Sequence, residues 1–166
     1  MSDQWFAELY EASYRRIVVA TYGLVGDLGE AEELAQEAFA IAYDRRRRVR
    51  ATDNPEAWLY TVAINLARRR WRRRNTLDRL LRRETPAQPV ESPDSWAGEH
   101  LELHAAIKKL SYEHRAVVVL HYLADMPVDE VATTLDIPVG TVKSRLARAR
   151  AALATTLGVH REVENA

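Results

Sequence analysis

Apolar positions recur at three- and four-residue spacing along most of this chain, the signature of helices with one buried face. Phe6, Leu9, Tyr10 and Ile17 place such a stripe on a helix from about Asp3 to Tyr22, and Gly23-Leu24-Val25-Gly26 breaks it. Asp27, followed three residues later by Glu30, predicts a capping box. The second helix it opens runs to about Arg45 with Leu34, Ala38, Ile41 and Ala42 inward. Arg45 to Asn54 reads as a basic loop. Asp53-Asn54-Pro55-Glu56 then offers cap oxygens, an early proline and a first-turn acid, and so starts a third helix reaching about Asn75.

Pro86, Pro89 and Pro93 fall between Thr85 and Ser95 without sustained periodicity, which predicts a linker between domains. Beyond it the pattern predicts helices from about Trp96 to Lys109, from a Ser111 cap to about Ala124, over Val128 to Leu135, and from Val139 to Leu157 before Gly158. The expected fold is all-α: two small helical domains joined by a flexible linker, the second a helix-turn-helix. The expected division is residues 1–76, a linker over 77–98, a second domain over 99–158 and a tail over 159–166.

Val128 to Asp136, the turn Ile137-Pro138-Val139-Gly140, and the helix from Thr141 onward have the spacing of a DNA-binding helix-turn-helix. At about 100° per residue, Val142, Leu146, Ala149 and Leu153 share the buried face. Thr141, Ser144, Ala147, Arg148 and Ala151 lie opposite, with Lys143 at the flank and Arg145 bordering the core. Small residues beside one Lys and one Arg suit a major groove, where bulk would hold the backbone off the bases. A plain amphipathic helix with a solvated basic face would carry a similar pattern. On the third helix, Leu59, Val62, Ala63 and Leu66 face inward, while Thr61, Asn65, Arg68 and Arg72 fall in one outward wedge edged by Trp58, Tyr60 and Trp71. Stacking rings with phosphate-neutralising guanidinium groups fit unpaired or distorted DNA, the plainer alternative being Trp58 and Tyr60 in the core and Arg68 to Arg74 as a solvated helix end.

Charge sharpens this picture. The net charge of zero conceals segregation. Residues 1–44 hold two Arg against nine acids, whereas residues 45–83 hold fourteen Arg against three acids. Residues 84–100 hold four acids and no base, and residues 101–166 hold eight of each sign. A polyanion partner is expected for the middle and a different partner for the acidic ends, and charge alone does not separate nucleic acid from an anionic membrane surface. With 47% apolar and 29% charged residues, general disorder is excluded. The absence of Cys removes disulfides, thiolate metal sites and a Cys nucleophile. The apolar run Ile17 to Gly26 falls short of the ~18 residues of a membrane span, and Met1-Ser2-Asp3-Gln4 does not begin a secretion signal, so a cytoplasmic location is expected.

Other chemistry finds little support. His100 and His104 are four apart, but only Glu99 or His114 could add a third ligand, so no metal is expected. Gly23, Gly26 and Gly29 follow a helix rather than a strand, unlike a phosphate-binding fingerprint. No carboxylate pair or nucleophilic triad stands out, and no enzyme activity, cofactor, small-molecule substrate or membrane partner is expected.

Three segments together resemble the bacterial extracytoplasmic-function (ECF) sigma factors: Glu32-Glu33-Leu34-Ala35-Gln36-Glu37-Ala38-Phe39, Pro55-Glu56-Ala57-Trp58-Leu59-Tyr60-Thr61-Val62-Ala63-Ile64-Asn65-Leu66-Ala67, and Ile137-Pro138-Val139-Gly140-Thr141-Val142-Lys143-Ser144-Arg145-Leu146. The resemblance spans about Phe6 to Leu157. It implies a transcription-initiation subunit that binds core RNA polymerase and promoter DNA and helps melt the duplex, with an anti-sigma factor as a further partner. By it, Glu33, Gln36 and Glu37 would dock on the polymerase. Thr61, Asn65, Arg68 and Arg72 would read the minus-ten element, and the Arg45–Asn54 loop would hold an extruded base. Lys143, Ser144 and Arg148 would read the minus-thirty-five element, with Thr141 and Arg145 as phosphate or framework contacts. The Arg45-Arg46-Arg47-Arg48 run is more basic than the family pattern. Two other readings stay open: a helix-turn-helix regulator acting without polymerase, and a sigma mimic that sequesters an anti-sigma factor.

Overall fold

Helix follows helix in the computed structural model, which describes residues 2–81 and 101–158, and no strand occurs among those residues. The chain divides into two compact units between Glu91 and Ser92. The first unit holds α1 (Ser2–Val25), α2 (Leu28–Asp44), α3 (Arg46–Arg50) and α4 (Pro55–Leu81). The second holds α5 (Leu101–Lys108), α6 (Tyr112–Val118), a π-helical turn over Val119–Leu123, α7 (Val128–Leu135) and α8 (Val139–Leu157).

In the first unit α1, α2 and α4 pack on one another, and small residues let them approach closely. Ala31, Ala35, Ala38 and Ala42 of α2 are buried beside Leu34, and Ala63 and Ala67 of α4 beside Leu59 and Ile64. Ile17, Val18 and Leu24 of α1 complete the core. Thr21 is buried too; its hydroxyl lies 2.8 Å from the carbonyl oxygen of Ile17 and 3.2 Å from that of Ala31 on α2, so the polar group is satisfied where two helices meet. Phe6, Tyr10 and Tyr14 of α1 cluster around Phe39, with ring centroids 4.9 Å apart for Tyr10 and Phe39.

Several expectations are corrected here. Gly23 does not break α1, which continues to Val25; the chain turns at Gly26, whose φ of 73° is where a residue without Cβ is at home. The capping box forms by half. Asp27 accepts from the Glu30 amide at 3.1 Å, but the Glu30 carboxylate accepts from Arg74 on α4 at 2.7 Å instead of returning to Asp27. The expected basic loop contains α3, a single helical turn and a half anchored by the fully buried Val49. The third predicted helix, α4, starts as expected, with Asn54 Oδ1 accepting from the Ala57 amide at 3.1 Å, but it runs to Leu81. The start expected near Trp96, His100 of the histidine pair and the proline-rich linker all lie outside the described residues.

The second unit buries Ile107 of α5, Val117 and Val118 of α6, Val119 and Leu120 of the π-helical turn, Val131 and Leu135 of α7, and Val142, Leu146 and Ala149 of α8. Ser111 caps α6, accepting from the His114 amide at 3.3 Å. Arg115 is half-buried and donates through Nε to the Leu110 carbonyl at 3.2 Å; burial lowers its pKa, partly opposed by Tyr112 nearby. The π-helical turn was not foreseen. His121 Nδ1 sits 2.8 Å from the Met126 carbonyl oxygen just beyond it.

Between α7 and α8 the backbone reverses at Asp136, whose φ of 55° is left-handed. The Ile137 amide bonds to the Ala132 carbonyl at 3.0 Å and that of Asp136 to Thr133 at 3.3 Å, which closes α7 in the manner of a Schellman turn. A short polar side chain tolerates this conformation, whereas a β-branched one does not. Asp136→Val is therefore expected to cost about 1 kcal/mol of stability, and Asp136→Gly essentially nothing. Urea unfolding of both variants checks this, and equal losses would show that the side chain itself, not the backbone angle, matters at the turn.

Candidate nucleic-acid interface

The first strip lies on α4. Its burial is wider than the wheel predicted: Leu59, Tyr60, Ala63, Ile64 and Ala67 are all buried, because α1, α2 and α3 each pack against this helix. Tyr60, only 2% exposed, therefore belongs to the core rather than to the edge of the outward wedge. Val62 and Leu66, expected inside, are half-buried. Asn65 and Arg72 are exposed as expected, while Thr61 and Arg68 are half-buried. Thr61 donates its hydroxyl to the Ala57 carbonyl at 2.9 Å, so toward a ligand it can only accept. Trp58 is half-buried and Trp71 is 40% exposed.

Glu33, Gln36 and Glu37, expected to meet the polymerase, are all exposed on α2, but the two acids have a partner within the unit. Arg70 of α4 lies 3.1 Å from Glu33 and 3.5 Å from Glu37, one guanidinium bridging two carboxylates a turn apart. Below them Arg74 pairs with the nearly buried Glu30. The stripe Glu30, Glu33, Glu37 thus meets Arg70 and Arg74 as a charged seam tying α2 to α4. Exposed pairs of this kind contribute little each, and Glu30 alone is buried enough for its pairing to matter. Gln36 stands exposed beside the seam. Arg70 was missed at the sequence level; the run of six arginines from Arg68 to Arg74 gave no local sign of which ones turn toward α2.

The second strip is α8. Val142, Leu146 and Ala149 are buried and Leu153 is half-buried, as the wheel requires. Lys143, Ser144, Ala147, Arg148 and Ala151 are exposed, and Thr141 is half-buried. Arg145 is half-buried and sits 3.6 Å from Glu113 of α6, a framework position. Arg150 donates to the exposed Tyr122 hydroxyl at 3.1 Å; neither residue was singled out from the sequence, since Arg150 lies outside the groove wedge.

The N-terminus of α8 is open. Pro138 provides no side-chain cap, the first turn holds no acid, and a Cβ built on Gly140 would meet nothing within 4 Å. The Thr141 and Val142 amides donate to the Pro138 carbonyl at 3.0 and 3.2 Å, which leaves those of Val139 and Gly140 for an anion or water. Among the described residues no cluster of three or more His, Asp or Glu could hold a metal ion. No helix there is long and apolar enough to cross a membrane.

Comparison with known proteins bears on both strips. Residues 9–76 match the Sigma-70 region 2 family, and residues 100–153 match the Sigma-70, region 4 family. The chain is 38% identical over 138 residues to the ECF RNA polymerase sigma factor SigL of Mycobacterium tuberculosis, covering 81% of this chain and 78% of that one. It is 31% identical over 161 residues to SigW of Bacillus subtilis, covering 89% and 86%. The fold is that of the Bartonella quintana sigma factor RpoE, solved in complex with the anti-sigma factor NepR, at a TM-score of 0.81 and 21% identity over 93% of this chain and 97% of that one. It is also similar to CnrH, solved with the cytosolic domain of CnrY, at a TM-score of 0.66 and 22% identity over 95% and 90%.

Proposed function

The chain belongs to the ECF sigma factors, and from that membership we propose how its surfaces share the work of transcription initiation. It acts as a sigma factor, directing core RNA polymerase to specific promoters. The observation that carries the finer reading is the pair of exposed polar strips on separate units: Asn65 and Arg72 on α4, and Lys143, Ser144 and Arg148 on α8. The α8 strip reads the minus-thirty-five element in duplex form, since small neighbours let the helix backbone approach the base edges. The α4 strip reads the minus-ten element once its strand is unpaired, with Asn65 on the non-template bases, Arg68 and Arg72 on phosphates, Trp71 as a stacking surface, and Thr61 as an acceptor.

The α2 face docks on the polymerase. Gln36 is its exposed neutral hydrogen-bonding group, and Glu33 and Glu37 join through carboxylate oxygens that Arg70 does not occupy. The seam with Arg70 holds these groups in fixed positions before the partner arrives, so little side-chain freedom is lost on binding. An anti-sigma factor is proposed as a partner from the sigma factors of like fold solved in such a complex. The exposed Leu77, Leu80 and Leu81 at the end of α4 offer it an apolar ridge.

Run-off transcription with purified core enzyme on a promoter library tests the reading. The wild-type chain is expected to select start sites that core enzyme alone ignores. Asn65→Ala is expected to reduce open-complex formation about tenfold while leaving upstream duplex binding intact, as followed by permanganate reactivity of unpaired thymines. Equal loss of both functions would overturn the division of labour. A chain that binds promoter duplex equally well without polymerase would instead be a free-standing regulator.

A further inference from the structure

The arginines before α4 behave as two groups. Arg46 is held by the protein itself: its guanidinium lies 4.4 Å above the Tyr43 ring, donates to the Tyr43 carbonyl at 3.0 Å, and is 3.7 Å from Asp3. Arg50 sits 5.7 Å over the Trp5 ring. The N-terminal end of α1 thus occupies one side of α3, and Val49 is buried on that helix as its anchor. Arg45, Arg47 and Arg48 are exposed, and among the described residues none has an ion-pair partner. They line, with Asp44 and Arg46, an open concavity of about 500 Å³.

Three unpaired guanidinium groups within four residues repel one another, and that cost is recovered only when an anion arrives. One carboxylate, Asp44, shares the wall and offsets part of the charge. A cavity that captures an extruded base needs a ring to stack on it and a fixed set of donors and acceptors along its edge. This wall presents guanidinium groups and one acid; the nearby Tyr43 ring is already covered by Arg46. The chemistry matches phosphate.

We propose that Arg45, Arg47 and Arg48 form a grip for the phosphates of single-stranded promoter DNA, blind to base sequence, beside the base-reading strip of α4. The proposal rests on the assignment of α4 to the minus-ten element and adds to it a separate job. Asn65 and its neighbours choose the sequence, while the α3 wall retains the strand whatever its bases. Since α3 packs directly against α4, the strand can pass from one to the other. The grip works by releasing condensed counterions, so its contribution weakens with salt, and any cation of fitting reach can supply it.

The test uses holoenzyme reconstituted with core polymerase. Its substrate is a fork template whose non-template strand is unpaired over the minus-ten element, in matched and scrambled sequence. The slope of log affinity against log salt falls by about 0.7 per lost contact on single strands. Arg45→Gln/Arg47→Gln/Arg48→Gln is thus expected to flatten the slope by about 2 while preserving the preference for matched over scrambled sequence. The corresponding triple lysine variant is expected to keep the wild-type slope, since point charges suffice. An unchanged slope in the glutamine variant, or a lysine variant as weak as it, overturns the grip, the latter by pointing to a planar contact with a base. Wild-type holoenzyme indifferent to the scrambled sequence would defeat the underlying reading of α4 instead. Far-UV circular dichroism establishes that both variants remain folded.

Discussion

Arg148→Ala is expected to weaken binding to the upstream promoter element by about 1–3 kcal/mol, roughly 5- to 150-fold, and to relax base preference at one position. The size follows from what surrounds the side chain. Arg148 is exposed on the face of α8 opposite the buried Val142, Leu146 and Ala149, with no ion-pair partner among the described residues, so its fork is available for a base edge. Arg145, one turn earlier, is half-buried and committed to Glu113, so Arg145→Ala is expected to act through the framework instead. Binding measured against a panel of single-base substitutions separates the two. Loss of affinity with the base profile unchanged would reduce Arg148 to a phosphate contact.

A larger effect is expected inside the first unit. Leu34 of α2 is fully buried, on the helix face that the alanines bring against α1 and α4. Leu34→Ala removes three methyl or methylene groups' worth of packing and leaves a cavity that closely apposed helices cannot readily close, at about 2–5 kcal/mol. Set against a stability of about 5–15 kcal/mol for a typical domain, that is enough to compromise polymerase docking at physiological temperature. Urea unfolding followed by tryptophan fluorescence measures it, with the exposed Glu32→Ala as a comparison expected within about 0.5 kcal/mol of wild type. A cost below about 1 kcal/mol would mean that the alanine-rich interface collapses around the gap.

These outcomes draw on parts of the molecule that were legible to very different degrees. The helix-turn-helix was the clearest: Val128–Leu135 and Val139–Leu157 carry their own punctuation in Pro127, Pro138 and Gly158, and their faces follow a strict wheel. The short α3 was hidden because a run of charged residues with one valine has no measurable period. Its helix exists through the long-range burial of Val49. Glu30 matched a local capping pattern, yet its carboxylate went to Arg74, forty-four positions away, where a stronger partner waited. The misplacement of Tyr60 has the same origin. A wheel assumes one buried face of ordinary width, and a helix packed against three others buries more. The outward face of α8 could be read from position alone, whereas telling a free from an engaged arginine, at Arg145 as at Arg70 and Arg74, needed coordinates.

The anchoring of α3 by one valine also bears on how such a protein can diverge. Val49 holds the segment while Arg46 and Arg50 lie against Tyr43 and Trp5, so the exposed Arg45, Arg47 and Arg48 can be lost, gained or exchanged at little structural expense. The ionic strength at which the protein works best then becomes an adjustable trait, set by a handful of codons and independent of which genes it selects.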